Sequence, residues 1–150
     1  MRETLYFEDL TPRLSLETVG RTITEADIMA FAGLSGDLNP LHTDAVYAAT
    51  TPFGERIAHG LLVLSIATGL ANRLGVLERS VEAFTALEWK YRGPVKIGDT
   101  VRARLSVKQS RTVPGYHGGL VLLNVSILNQ RDEVVQKGLW TVMVKGKTKE

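Results

Sequence analysis

Apolar and polar residues change their spacing about halfway along the chain. From residue 81 onward the period is two. Val101, Ala103, Leu105 and Val107 interleave with Arg102, Arg104, Ser106 and Lys108, so an extended segment there presents one apolar and one polar face. The pattern predicts four long strands, roughly 81–92, 99–110, 119–130 and 133–145. Turn residues separate them: Gly93-Pro94 with Gly98-Asp99, Pro114-Gly115 with Gly118-Gly119, and Gln130-Arg131-Asp132. Before residue 81 the spacing is mostly helical. Thr24 precedes Glu25-Ala26-Asp27 as a capping box does. Ile28, Phe31 and Ala32 then form one apolar stripe, which Gly33, Ser35 and Gly36 close. Asn39 before Pro40 reads as N-cap and first position of a short helix that carries His42 in its first turn. Residues 60–73, GLLVLSIATGLANR, are apolar nearly all round, with Ser65, Thr68, Gly69 and Asn72 on a small side. Such a helix is buried on most faces, and at 1.5 Å per residue it is about 20 Å long. Residues 4–9 and 16–23 read as short extended pieces.

These elements fit one arrangement, an α+β fold in which an antiparallel sheet curls around one buried helix. No linker or repeat divides the 150 residues, so residues 1–150 are expected to form a single domain. A free edge strand would be protected by dimerisation. At 44% hydrophobic and 23% charged the chain has the composition of an ordinary globule. Its net charge of +2 falls short of a nucleic-acid-binding footprint. The absence of cysteine excludes disulfides, cysteine-ligated metals and a thiol nucleophile. The longest apolar stretch, Leu61 to Ala71, is short of the roughly 20 residues a bilayer needs. No apolar segment follows a basic start as in a signal peptide. A cytoplasmic protein that binds neither membrane nor nucleic acid is expected.

The unusual segment is SGDLNPLHTD, residues 35–44. In a continuous helix Asp37 and His42 would point about 140° apart. The turn at Asn39-Pro40 instead lets Asp37 fold back beside His42, and the two could hold one water. A helix N-terminus disfavours imidazolium while an anionic neighbour favours it, so such a pair in an apolar cleft is suited to proton transfer. Taken in isolation, Asp37 could simply cap a helix and His42 make a structural hydrogen bond. Gly60 opens the central helix, where its N–H has no intrahelical acceptor and no side chain obstructs a carbonyl oxygen. That is an oxyanion site in form, or an ordinary helix start. His59 either caps this helix or lines the cleft. Thr68 either contacts Asp37 or substrate, or allows close packing. The three histidines, at 42, 59 and 117, show no metal-binding spacing, and no metal site is expected. His117 falls in a hairpin turn. Arg92, Lys96, Arg102 and Arg104 read as a solvated face, and Trp89 and Trp140 as core or interface packing.

Together the segments resemble a known family. Residues 31–62, FAGLSGDLNPLHTDAVYAATTPFGERIAHGLL, are similar to the MaoC-like (R)-specific enoyl-CoA hydratase/dehydratase family, with YFEDL near the start and RGPVKIGD farther on also similar. The resemblance implies a hotdog fold, a five-stranded sheet around a central helix, acting as a homodimer or a dimer of dimers. It implies Asp37 and His42 as the catalytic dyad, Gly60 as the oxyanion-hole glycine and Asn39 as holder of the catalytic loop. Thr68 stands where the family usually has Ser. The implied reaction is reversible hydration of a trans-2-enoyl-CoA to a (3R)-3-hydroxyacyl-CoA. Coenzyme A, or alternatively an acyl carrier protein, belongs to the substrate, and no separate cofactor is implied. Two other readings remain at this point: a hotdog acyl-CoA thioesterase and a non-catalytic acyl-CoA-binding module.

Overall fold

The computed structural model describes residues 2–148. After a 3-10 turn at Phe7–Asp9 come β1 (Ser15–Glu17), β2 (Arg21–Thr22), α1 (Glu25–Ser35), α2 (Pro40–Thr43), α3 (Ala45–Ala49) and α4 (Gly60–Asn72). Four long strands follow: β3 (Val81–Tyr91), β4 (Thr100–Thr112), β5 (Gly118–Leu128) and β6 (Val134–Lys145). The antiparallel sheet has the order β1-β4-β5-β6-β3, and β2 adds to β4 beside β1. It curls around α4 in the hotdog arrangement. Alternation decides which face is inward. Val101, Ala103, Leu105 and Val107 of β4, Val121, Leu123, Val125 and Ile127 of β5, and Trp140, Val142 and Val144 of β6 are all buried. They share one core with Val63, Ala67 and Ala71 of α4.

The long strands and all three anticipated helix starts fall where the sequence places them, within a residue or two. Three local expectations need correction. Residues 4–9 are not extended throughout, because the Asp9 carboxylate accepts the Tyr6 N–H at 3.0 Å and winds Phe7–Asp9 into a turn. Residues 16–23 split into β1 and β2, because at Thr18 the hydroxyl replaces a main-chain carbonyl as acceptor for the Ala103 N–H (2.9 Å). An additional helix, α3, forms where the Asp44 carboxylate accepts the Tyr47 N–H (2.9 Å). The central helix is also less enclosed than its composition suggests. Leu61, Ser65, Thr68, Gly69 and Asn72 form an exposed stripe at helical spacing. It borders β3, the sheet edge, where Phe84 and Leu87 are exposed by 49% and 45% although they share the face that covers the helix.

Helix α1 delivers the chain to the site, and its start is tied down by charge. The Thr24 hydroxyl accepts the Asp27 N–H (3.2 Å), and the Asp27 carboxylate accepts the Thr24 N–H (2.9 Å). Arg21 adds two bonds to the same carboxylate, at 2.7 and 3.2 Å. Burial works to raise the Asp27 pKa, but these hydrogen bonds outweigh it and hold the carboxyl below its ordinary value. A depressed folded-state pKa gives stability that is complete above the ordinary carboxylate range and lost as pH falls through the folded value. Asp27→Asn should therefore lower stability near pH 7 by about 1 kcal/mol. The deficit should shrink below about pH 4. Urea unfolding at neutral and acid pH checks this, and a deficit independent of pH would refute the linkage.

Candidate active site

The loop between α1 and α2 is wired by its own polar side chains. Gly36 ends α1 in the left-handed region (φ 76°), donating its N–H to Ala32 O. Most L residues avoid that conformation. The Ser35 hydroxyl then accepts the Asp37 N–H (3.1 Å), the Asp37 carboxylate accepts the Asn39 N–H (3.2 Å), and the Asn39 side chain accepts the Leu41 N–H (2.9 Å). The Thr43 hydroxyl lies 3.1 Å from the carbonyls of both Leu38 and Asn39. Each turn residue thus satisfies a main-chain group that the reversal leaves unpaired. Asn39 is the N-cap of α2.

His42 points from α2 toward the segment ahead of α4. Its Nδ1 lies 2.7 Å from Ile57 O. A carbonyl oxygen only accepts, so Nδ1 carries the proton and Nε2 is the free nitrogen. His59 makes the complementary contact, with Nε2 2.9 Å from Asp37 O. The two imidazoles stack with ring centroids 3.9 Å apart and planes 27° from parallel. A carboxylate oxygen of Asp37 and one ring nitrogen of each histidine lie within 4.8 Å of one another. One water can bridge that span at ordinary hydrogen-bond lengths of about 2.8 Å.

The sequence does bring Asp37, His42, Asn39, His59 and Gly60 together. Two expectations change. A tight histidine–carboxylate cluster is present, contrary to the sequence reading. A metal ligand nitrogen aims its in-plane lone pair at an ion about 2.0–2.1 Å away, and two stacked rings point those lone pairs alongside each other rather than at one shared centre. The donor set therefore suits a hydrogen-bonded water better than an ion. The Asp37–His42 pair is also not uniformly buried, since His42 is buried while Asp37 is exposed in the single chain.

Asp37, His42, His59 and Gly60, but not Asn39, line a cleft of about 530 Å³, walled also by Phe31, Tyr91 and Gln136. Gly60 is the first residue of α4. The first main-chain bond back into the helix comes from Val63 N–H to His59 O (3.3 Å), so the Gly60 amide stands before the ladder begins. A Cβ at Gly60 would sit 2.4 Å from the Tyr91 ring, so glycine is required for that ring to close over the helix start. Thr68 is elsewhere. Its hydroxyl donates to Ser65 O (2.6 Å), and the residue lines a second cavity of about 190 Å³ with Phe84, Trp140 and Val142. His117 is exposed in the β4–β5 turn, as expected.

The sequence reading missed Gln136. This buried amide on β6 donates to Gly60 O (3.1 Å) and accepts the Trp89 indole N–H (2.8 Å). Its signal was available, because it lies in phase with the inward residues Trp140, Val142 and Val144, where a polar side chain needs partners.

The family described as MaoC like domain matches residues 10–121. The chain belongs to that family. A MaoC-like relative from Klebsiella aerogenes, named Protein MaoC, is 47% identical over 105 residues, covering 69% of this chain and 31% of that protein. This chain thus spans less than a third of that relative. An (R)-specific enoyl-CoA hydratase of Rhodospirillum rubrum is 42% identical over 106 residues, covering 68% of this chain and 69% of the relative. Among solved structures, the R-hydratase PhaJ1 of Pseudomonas aeruginosa aligns with a TM-score of 0.78 at 31% identity, covering 96% of this chain and 88% of that one. Among the described residues of this MaoC-like chain no helix is long and apolar enough to cross a membrane.

Gln136→Leu should cost about 1–3 kcal/mol, because it leaves the Trp89 indole N–H unpaired and removes the sheet-to-helix bond at Gly60. Chemical unfolding measures the difference. A variant as stable as wild type would show that this bridge does not hold the helix start.

Proposed function

We propose that the chain is a hydro-lyase that hydrates trans-2-enoyl thioesters reversibly to (3R)-3-hydroxyacyl thioesters. The observation that carries the reading is the His42–Ile57 contact. It leaves Nε2 as the free ring nitrogen of a histidine that has one ring nitrogen within 4.8 Å of an Asp37 carboxylate oxygen, at the start of a helix whose first amide precedes the main-chain ladder. The named hydratase relatives support the same reading.

In this mechanism one water donates its two O–H groups to Asp37 and to His42 Nε2, which leaves an oxygen lone pair directed at C3 of the substrate. Asp37 is the main general base, and His42 orients the water and shuttles the proton. As the C3–O bond forms, the C2=C3 π electrons move toward the thioester carbonyl. The Gly60 N–H stabilises the developing enolate oxygen, where one such donor is typically worth about 3 kcal/mol. The proton taken from water is returned to C2, which balances the addition. Dehydration uses the same groups in reverse. The carrier, coenzyme A or an acyl carrier protein, enters as part of the substrate, and the protein residues supply the rest of the chemistry. Thr68, eight residues along α4 from Gly60 and thus about 12 Å away, belongs in this scheme to an apolar wall that an acyl chain would meet, not to the water site.

We further assign a homodimer. The uncovered strip of Leu61, Phe84, Leu87 and Tyr91 lies beside the free edge of β3, an 11-residue strand. A second copy that pairs along this edge would cover both the apolar strip and the unpaired main-chain groups.

Purified protein should bleach the conjugated-enoyl absorbance of crotonyl-CoA or of a longer enoyl-CoA. Asp37→Asn and His42→Ala should each lower kcat/KM by roughly 10²–10⁴-fold while remaining folded. Wild-type rates in either variant would refute the dyad. Release of free thiol, detected with DTNB, would indicate the thioesterase instead. Binding of acyl-CoAs without turnover would indicate a non-catalytic module.

A further inference from the structure

We propose that His59 is a positioning residue that clamps both halves of the dyad at once. Its Nε2–H holds the Asp37 main chain and its ring face holds the His42 imidazole. This inference rests on the hydratase reading above and deepens it.

His59 occupies the N-cap position of α4, yet its side chain makes no capping hydrogen bond there. An N-cap side chain ordinarily serves the first amides of its own helix. This one turns away to reach a carbonyl 22 residues earlier in the chain. The ring is held from two sides, with His42 stacked at 3.9 Å and Phe31 tilted against it at 4.9 Å. It is 2% exposed.

The state of its nitrogens separates holding from proton transfer. Nε2 faces a carbonyl and so bears a proton. Among the described residues, the buried Nδ1 has no hydrogen-bond partner. A proton placed on Nδ1 would be a buried donor without an acceptor, which is an unfavourable arrangement. The single proton on Nε2 is engaged with main chain. The ring therefore has no route for relaying a proton to substrate, and its contacts describe a strut.

The location of the strut matters. Asp37 and His42 both belong to the loop and short helix at 37–43, whose internal wiring says nothing about where that unit sits relative to Gly60. His59 is joined to Gly60 by one peptide bond and touches both dyad residues. It thereby sets the distance between the water-activating pair and the proposed oxyanion donor.

Three variants separate its two contacts. His59→Gln keeps an N–H donor of similar reach without the ring. His59→Phe keeps a ring without the donor, and His59→Ala removes both. Small misplacements of reacting groups cost up to about 10²-fold in rate. We expect kcat for enoyl-CoA hydration to fall about 10- to 100-fold in the Gln and Phe variants and further in the Ala variant, with KM within roughly threefold of wild type. Circular dichroism and thermal unfolding identify the folded variants, and the Gln–Phe pair suffices should the Ala variant not fold. Wild-type kcat in folded variants, or a raised KM at constant kcat, would overturn the clamp.

A second readout does not depend on turnover. Imidazole nitrogen NMR of the wild type should show the proton on Nδ1 of His42 and on Nε2 of His59. The His42 tautomer, fixed by the Ile57 carbonyl, should persist in His59→Gln and His59→Ala, whereas the His42 ring resonances should broaden as the ring loses its stacked partner. A wild-type His59 proton on Nδ1, or His42 resonances as sharp as wild type in both variants, would refute the proposal. If the wild type hydrates no enoyl thioester, the hydratase reading fails while this spectrum still decides the clamp.

Discussion

The hydrogen bond from His42 Nδ1 to the Ile57 carbonyl, 2.7 Å long, is the contact on which the site depends. An imidazole offers two similar nitrogens, and a free ring exchanges which of them carries the proton. Supplying one fixed acceptor removes that ambiguity and orients the ring as well. The contact also joins two segments that sequence separates by 15 residues. One is the reversal that carries Asp37, and the other is the stretch leading into α4. Ile57 is itself held, since it bridges to Lys96 while the neighbouring Ala58 N–H binds Val95 O at 2.7 Å. The tautomer of one side chain is thus anchored in the loop between β3 and β4, near the end of the sheet.

The central helix divides its tasks by position. Its first residue lacks a side chain and meets the cleft. Its middle contributes Val63 and Ala67 to the core, and its later turns border a small apolar cavity. The Gln136 amide links the helix start to the sheet through Gly60 and Trp89, so the polar end of the helix is located by hydrogen bonds and the apolar part by packing. This division explains why a helix with so few charged residues still has a defined depth in the sheet. Hydrophobic burial alone is non-directional, whereas a buried amide with two specific partners is not.

The long strands were legible because alternation over many residues is a strong signal and each strand is bounded by glycine, proline or aspartate. The reversal at residues 35–44 was legible for a different reason. Asn39-Pro40 fixes a helix start, which dictates that Asp37 lies outside the helix and His42 inside it. Less legible were features set by a single side chain replacing a main-chain group. Thr18 breaks one extended piece into two strands in this way, and Asp9 and Asp44 wind turns that local propensity leaves open. Gln136 escaped notice because one polar residue within an apolar run does not announce its partners, which come from β3 and α4. The stacking of His42 on His59 was not legible either. Residues 42 and 59 are linked by a loop whose path is set by Arg56, which reaches Glu25 and the His42 carbonyl, and nothing in their spacing implies face-to-face rings.

The exposed positions of the single chain complete the physical picture. Asp37, Leu61 and Tyr91 line the cleft and are open to solvent, while the histidines behind them are buried. Charge interactions strengthen as water is excluded, so the proposed activation of a bound water by Asp37 would be favoured where bulk water is kept out. The strip of Leu61, Phe84, Leu87 and Tyr91 shows where cover is lacking: along the flank of α4 and the edge of β3. Two of these residues, Leu61 and Tyr91, also line the cleft. Assembly and dehydration of the site would then be one event. In the proposed homodimer, the small residues Ser65, Thr68 and Gly69 on the exposed side of α4 would let a neighbouring helix approach closely.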